Sequence, residues 1–294
     1  MGRLVVLGGS GFIGSAILKA AEGRFEVVSA SRGQVSATDL HVDLSDQSTF
    51  GNLKLKDGDV LLLLAAQSSP DVCANRPEEA RAINVTGTST LLQQAHEAGA
   101  KTLFFSTDVV YGASDKTVDE NFPSSPAGPY GRMKHEVEQQ FLGRPLFKTM
   151  RLSYVFSIAD KFTRYAIAAC REGTEVEVFD PFCRNVVYLH DLVAAVLALS
   201  ESWEMCPSGV VNAGGPELLT RLRFVEALVG AGLKGLRYKV VEPPPSFFEN
   251  RPRVINMVSP WMDRLVGAPR LTLREAARRE FERFGIQSCN ENAH

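Results

Sequence analysis

Tyr130 and Lys134 stand four residues apart in Tyr130-Gly131-Arg132-Met133-Lys134, a spacing that places both on one helical face. A phenol beside an ammonium can do acid–base work. A free tyrosine has a pKa near ~10 and exchanges protons poorly at neutral pH. A neighbouring cation favours the phenolate and is expected to lower that value. The pair then suits proton transfer to or from a carbonyl oxygen. One predicted element earlier, the run Ser106-Thr107-Asp108-Val109-Val110-Tyr111-Gly112 offers a hydroxyl. Thr107 is expected to hydrogen-bond the same oxygen and fix its orientation. Beside a bound redox nucleotide, such a set can protonate a carbonyl oxygen as hydride arrives, or take the proton in reverse.

The N-terminus offers a place for one. The apolar run Leu4-Val5-Val6-Leu7 leads into Gly8-Gly9-Ser10-Gly11-Phe12-Ile13-Gly14 and then an apolar helical pattern. A strand, a tight turn and a helix start in that order can hold a dinucleotide pyrophosphate. Gly8 lets the chain turn, Gly11 leaves room for phosphate, and Gly14 lets the helix pack close to the sheet. The helix then presents its free N–H groups, with Ser10, Phe12 and Ile13 lining the turn. At the end of the second strand, Ser31 and Arg32 stand where an NAD-preferring site usually places a carboxylate. A hydroxyl and a guanidinium suit a 2′-phosphate instead, so NADP is the expected cofactor, with NAD the alternative. Asp43 and Leu44 follow the third strand, where Asp43 is a candidate either for the adenine amine or for capping a turn with Ser45. Ala65 and Ala66 are small where the cofactor would pass. Asn84 is placed to support the catalytic end, and Lys134 to contact the nicotinamide ribose.

Strand-like runs at 4–7, 26–31, 41–44, 60–66 and 102–110 alternate with helical patterns at 13–21 and 78–98, the latter closed by Gly99. Such alternation predicts an α/β fold with a doubly wound parallel sheet. Further on, 146–156 reads as a strand, 162–171 as a helix and 185–189 as a strand. Asp191 is read as the N-cap of a helix over 192–199. A nucleotide-binding domain over 1–156 and a smaller substrate lobe over 157–294 are expected, with segments of the second returning to the first.

The 294 residues are 45% hydrophobic with a net charge of −2, so no basic face points to nucleic acid. The longest apolar run, 60–66, is too short to span a membrane, and the Arg-rich stretch 270–283 carries apolar residues at helical spacing. Five scattered cysteines suggest neither a disulfide framework nor a metal set, and a reduced, cytoplasmic protein is expected.

At the glycine turn, 84–88, 106–112, 130–134, 186–192 and 209–215, the chain resembles the extended short-chain dehydrogenase/reductases. Within that group it looks most like the dTDP-4-dehydrorhamnose reductases, through its compact length, its Ser-Thr-Asp strand end and Arg251-Pro252. The resemblance implies a Rossmann-type fold, hydride transfer from NAD(P)H to a ketone of a nucleotide-linked sugar, and Thr107, Tyr130 and Lys134 as the catalytic set. Related 4,6-dehydratases carry a glutamate where this chain has Val109, which cannot exchange a proton. Related epimerases keep NAD tightly bound, which Arg32 does not suit, and Leu189-His190 departs from the usual pattern. A substrate diphosphate calls for cations, for which Arg151, Arg184 and Arg251 (with Arg253) are candidates, and Asp108 is placed beside the substrate. An epimerase and a non-catalytic NADP-binding regulatory subunit are the alternatives, and a homodimer stays open.

Overall fold

The computed structural model describes residues 2–33 and 39–286. The first half of the chain runs β1 (Arg3–Leu7), α1 (Phe12–Ala21), β2 (Glu26–Ser31), β3 (Leu40–His41), β4 (Val60–Leu63), α2 (Pro70–Asn75), α3 (Pro77–Arg81), α4 (Thr88–Glu97), β5 (Lys101–Thr107), β6 (Thr117–Val118), α5 (Gly128–Phe141) and β7 (Phe147–Leu152). The second half runs β8 (Val155–Phe156), α6 (Lys161–Glu172), β9 (Glu175–Phe179), β10 (Cys183–Asn185), β11 (Val187–Tyr188), α7 (Leu189–Glu201), β12 (Val210–Ala213), β13 (Leu218–Thr220), α8 (Arg221–Ala231), β14 (Arg237–Val241), β15 (Val254–Met257), α9 (Met262–Val266) and α10 (Leu273–Phe284).

Seven parallel strands form the main sheet in the order β12-β7-β5-β4-β1-β2-β3. β4 and all of β1 after Arg3 are apolar because both faces of the sheet are covered. Alternate residues of β1 enter opposite cores: Leu4 and Val6 pack with Ile17 of α1 and Val196 of α7, while Val5 and Leu7 pack with Leu91 of α4 and Val137 of α5. Strand order reverses between β1 and β4. In a sheet of this type a ligand crevice opens at that point, beyond the carboxyl ends of the strands.

The C-terminal half does not stand apart. β12 joins the main sheet beside β7, and α7 and α9 cover one of its faces. The rest builds a second core around Phe156, Phe224 and Phe281, next to a four-stranded sheet in the order β13-β10-β15-β6. In that sheet β10 runs antiparallel to β13 and parallel to β15. α10 starts with a reciprocal capping box between Thr272 and Glu275.

Three local expectations are corrected. The helix read over 78–98 is broken by a π-helical turn at Ala82–Gly87, between α3 and α4. Asp191 is not an N-cap, because α7 already begins at Leu189. Its carboxylate instead accepts from the Leu271 amide at 3.2 Å. Cys170 is disulfide-bonded whereas Cys73, Cys183 and Cys206 are free thiols, so the expectation of no disulfide fails at that residue. Spacing rules see cysteines that are near in sequence, not those that folding brings together. No described helix is long and apolar enough to cross a membrane.

Candidate active site

A crevice of about 520 Å³ opens where the strand order reverses. Gly8, Ser10, Gly11, Phe12, Ile13 and Gly14 form its floor, Ser31, Arg32, Asp43 and Leu44 one end, and Ala65 and Ala66 a side wall. Tyr130 and Lys134 line the other end. Residues far apart in the chain, expected to meet one dinucleotide, therefore share one cavity.

The turn is built for close approach. Gly8 has φ +101°, a conformation side chains rarely adopt. A Cβ on Gly14 would lie 2.2 Å from the Gly8 carbonyl oxygen, so only glycine lets α1 start this near the strand. Gly11 caps α1 without a side-chain hydrogen bond, and the first turn carries no acidic residue. The amides at the start of α1 are thus left for an anion, which fits a pyrophosphate.

At the adenosine end, Ser31 donates to the Gly33 carbonyl at 2.5 Å and Arg32 is exposed on the rim. Asp43 lines the crevice and also accepts from the Ser45 amide at 2.9 Å and the Ser45 hydroxyl at 2.7 Å. Its two expected roles are therefore compatible. These hydrogen bonds, with Arg32 nearby, outweigh burial and hold its carboxyl below the usual range.

Lys134 is 2% exposed, and its Nζ donates to the Phe105 carbonyl at 2.8 Å. The Nζ lies 4.4 Å from the Phe104 ring centre and 6.0 Å from that of Tyr130. Burial pushes its pKa down to about 7, against which Glu138 and Cys73 pull upward. Tyr130 behaves opposite to expectation. Burial, with Cys73 and Asp108 nearby, raises its phenol well above the usual value. A lysine spending its charge on a backbone carbonyl, itself half-discharged near neutrality, offers the phenolate little help. The side chain at 130 is a held acid in this state.

Other predicted residues fall outside the crevice wall. Asn84, in the π-helical turn, is buried behind it: Nδ2 donates to the Gln67 carbonyl at 2.9 Å and Oδ1 accepts from the Gln67 amide at 2.8 Å. It braces the peptide of a residue that lines the cavity. Thr107 is turned onto its neighbours, donating to Asp108 Oδ1 and accepting from the Val109 amide, each at 3.3 Å. Ser106 and Phe105, the two residues before it, line the crevice. Gln67 and Ser68 also line it and were missed. They directly follow Ala65-Ala66, which was the available signal.

Three of the four arginines expected to meet a diphosphate are engaged by carboxylates. Arg151 is buried with Glu138 at 2.6 Å and stacks over Tyr111. Arg184 Nε pairs with Asp108 Oδ2 at 3.2 Å, and its Nη2 donates to the Pro252 carbonyl at 2.9 Å. Asp108 is thereby committed too, with the Ser153 hydroxyl donating to it at 3.1 Å. Burial still raises its carboxyl above the usual range. Arg251 reaches across to Asp71 of α2 at 2.7 Å, and Arg253 lies over the Phe248 ring. Among the described residues no cluster of three metal-ligating side chains exists.

Comparison with known proteins agrees with this geometry. The chain is 27% identical to the dTDP-4-dehydrorhamnose reductase of Mycolicibacterium smegmatis over 244 residues, covering 80% of this chain and 72% of that protein. It is 30% identical to the dTDP-D-glucose 4,6-dehydratase of Bos taurus over 188 residues, 58% of this chain and about half (51%) of the bovine protein. Among solved structures, the UDP-glucose 4-epimerase of Thermotoga maritima, determined with UDP-glucose, superposes with a TM-score of 0.79 at 23% identity. That superposition covers 96% of this chain and 98% of the epimerase. Residues 4–214 match the NAD dependent epimerase/dehydratase family. The chain therefore belongs to that family and is an NAD(P)-dependent enzyme of the short-chain dehydrogenase/reductase type.

Proposed function

We propose that this protein uses NADPH to reduce a keto group on a nucleotide-linked deoxysugar, in the manner of the dTDP-4-dehydrorhamnose reductases it resembles. The observation that carries this reading is geometric: Tyr130, a half-buried phenol, and Lys134 line the opposite end of one crevice from the glycine turn, Ser31 and Arg32. Reduction consumes a proton at the carbonyl oxygen, so a protonated residue is its starting form, whereas oxidation needs the base first.

The glycine turn and the α1 amides would hold the pyrophosphate, Ser31 and Arg32 the 2′-phosphate, and Lys134 the nicotinamide ribose. Asp43 and Leu44 would flank the adenine. Bound there, the dihydronicotinamide supplies the hydride. Tyr130 gives its proton to the carbonyl oxygen as that oxygen gains negative charge. Thr107 orients the oxygen; its present bonds of 3.3 Å are long for a hydroxyl and little is lost in breaking them. Asn84 keeps the Gln67 wall in place. Val109 stands where the related dehydratases carry a glutamate, which favours reduction over loss of water.

The test is NADPH consumption with a nucleotide-linked 4-keto-6-deoxysugar. Wild type should consume NADPH only when the keto sugar is added. Tyr130→Phe should lose turnover while binding NADPH nearly unchanged. Full activity in that variant removes Tyr130 as the acid. Purification with tightly bound NAD and no NADPH consumption would assign an epimerase, and cofactor binding without turnover a regulatory subunit.

A further inference from the structure

Tyr130, Lys134 and Glu138 stand four residues apart in turn along α5, so one stripe of that helix carries a phenol, an amine and a carboxylate. The first two line the crevice. Glu138 lies one turn further on, fully buried, and the hydride and proton steps leave it unused. It is fixed from β7: Arg151 Nη2 donates to Oε2 at 2.6 Å, Arg151 Nε to both oxygens at 3.2 Å, and the Thr149 hydroxyl to Oε1 at 3.4 Å. Against burial, hydrogen bonds from His135 and Arg151 hold the carboxyl below the usual range. A charge anchored at both oxygens cannot turn away, and in a dry interior it acts strongly on its neighbours.

Ser106 belongs to the layer that faces this stripe. The β5–β7 register sets Phe104 opposite Thr149 and Ser106 opposite Arg151, and alternate residues of a strand share a face, so all four look onto α5. Lys134 Nζ sits over the Phe104 ring and donates to the Phe105 carbonyl, in the peptide that leads into Ser106. The Ser106 side chain is 3% exposed and lines the crevice, yet its hydroxyl makes no hydrogen bond. A buried hydroxyl without a partner is costly and calls for one. Glu138 is close enough for this hydroxyl to help keep its carboxylate charged. On the other side, Lys134 keeps two of its three donors after the Phe105 carbonyl takes one. A hydroxyl donates one hydrogen and accepts on its lone pairs, so Ser106 can serve the carboxylate and the ammonium together.

We propose that Glu138 and Ser106 are positioning residues for Lys134: the carboxylate, locked by Arg151, and the hydroxyl, reaching from β5, hold the ammonium at the reacting end of the crevice. The titratable groups that face Lys134 are Tyr130 and Glu138 from its own helix and Cys73 from α2. Arg151 of β7 and His135, whose Nδ1 is 3.8 Å from Oε2, face Glu138. Glu138 does most to keep the amine charged against burial. The charged form is the one that steadies the phenolate left when Tyr130 gives up its proton. A carboxylate that never meets substrate thereby governs how much of that form exists near neutral pH. The catalytic use of the charge rests on the proposed reduction; the hold on the amine does not.

Carbon-13 NMR of the full chain, with lysines labelled at Cε and the Lys134 signal identified by its loss in Lys134→Met, reads the titration of this amine without substrate. Glu138→Gln and Ser106→Ala should each lower the Lys134 midpoint by at least about half a pH unit, and Glu138→Asp should return part of the loss. Should Glu138→Gln fail to fold, Ser106→Ala decides alone. In turnover with NADPH and a keto sugar, the basic limb of the kcat profile should move to lower pH in Ser106→Ala, with KM little changed. A Lys134 midpoint equal to that of wild type in either folded variant overturns the proposal. That result combined with a lowered urea midpoint would mark a structural role alone. Failure of the keto-sugar reading looks different: wild type consumes no NADPH with any keto substrate, while the shifted Lys134 titration persists in the variants.

Discussion

Replacing Lys134 by methionine should change how stability depends on pH. The side chain is 2% exposed and titrates near 7 in the fold, against the ordinary lysine value of 10.5. Below pH 7 the amine is protonated in both folded and unfolded chains, and the fold bears the full cost of burying the charge. Between about 7 and 10.5 the unfolded chain binds the extra proton, so the native state gains stability as pH rises. One proton corresponds to at most about 1.4 kcal/mol per pH unit, and the whole interval to a change on the order of 5 kcal/mol. Methionine has no such titration and a similar length. Urea unfolding of both proteins at pH 6, 7, 8 and 9, without cofactor, isolates the effect, because other groups titrate in both. The Met variant should be the more stable at pH 6, and its advantage should shrink steadily above pH 7. Parallel stability curves would show that Lys134 keeps an ordinary pKa, and the description of it as a half-discharged lysine at neutrality would be refuted.

Two further outcomes follow from the site. Arg32→Asp should weaken NADPH at least tenfold, about 1.4 kcal/mol or more, with little effect on NADH; equal losses in titration of both nucleotides would remove the 2′-phosphate role. Arg151→Met should cost about 3–5 kcal/mol in urea unfolding, because it strands the buried Glu138 carboxylate. Adding Glu138→Leu should recover much of that loss, whereas a fully stable Arg151→Met with a raised KM would return Arg151 to substrate binding.

Much of the cofactor crevice could be read along the chain because its determinants are local. Gly8 and Gly14 act on each other within one turn, and Tyr130 and Lys134 within one helical turn. The state of those residues was less legible. The raised Tyr130 phenol comes from burial and from Cys73 and Asp108, none of which its own helix reveals. The carboxylate partners of the candidate substrate arginines were not legible because they come from remote segments, as when Arg251 meets Asp71. The π-helical turn left no apolar break in 78–98, since one extra residue in a helix turn leaves composition unchanged.

That β7 finds its outer neighbour only in β12 has a practical consequence for anyone recombining such enzymes. Exchanging the specificity-bearing portion cannot be done with a single crossover, since a graft taking everything after β7 would carry off the last strand of the recipient's nucleotide sheet. It would set the donor's counterpart of β12 against the recipient's β7, a mismatched pair at the sheet margin. A working chimera has to retain Val210–Ala213 from the same parent as β7, with two splice junctions flanking it.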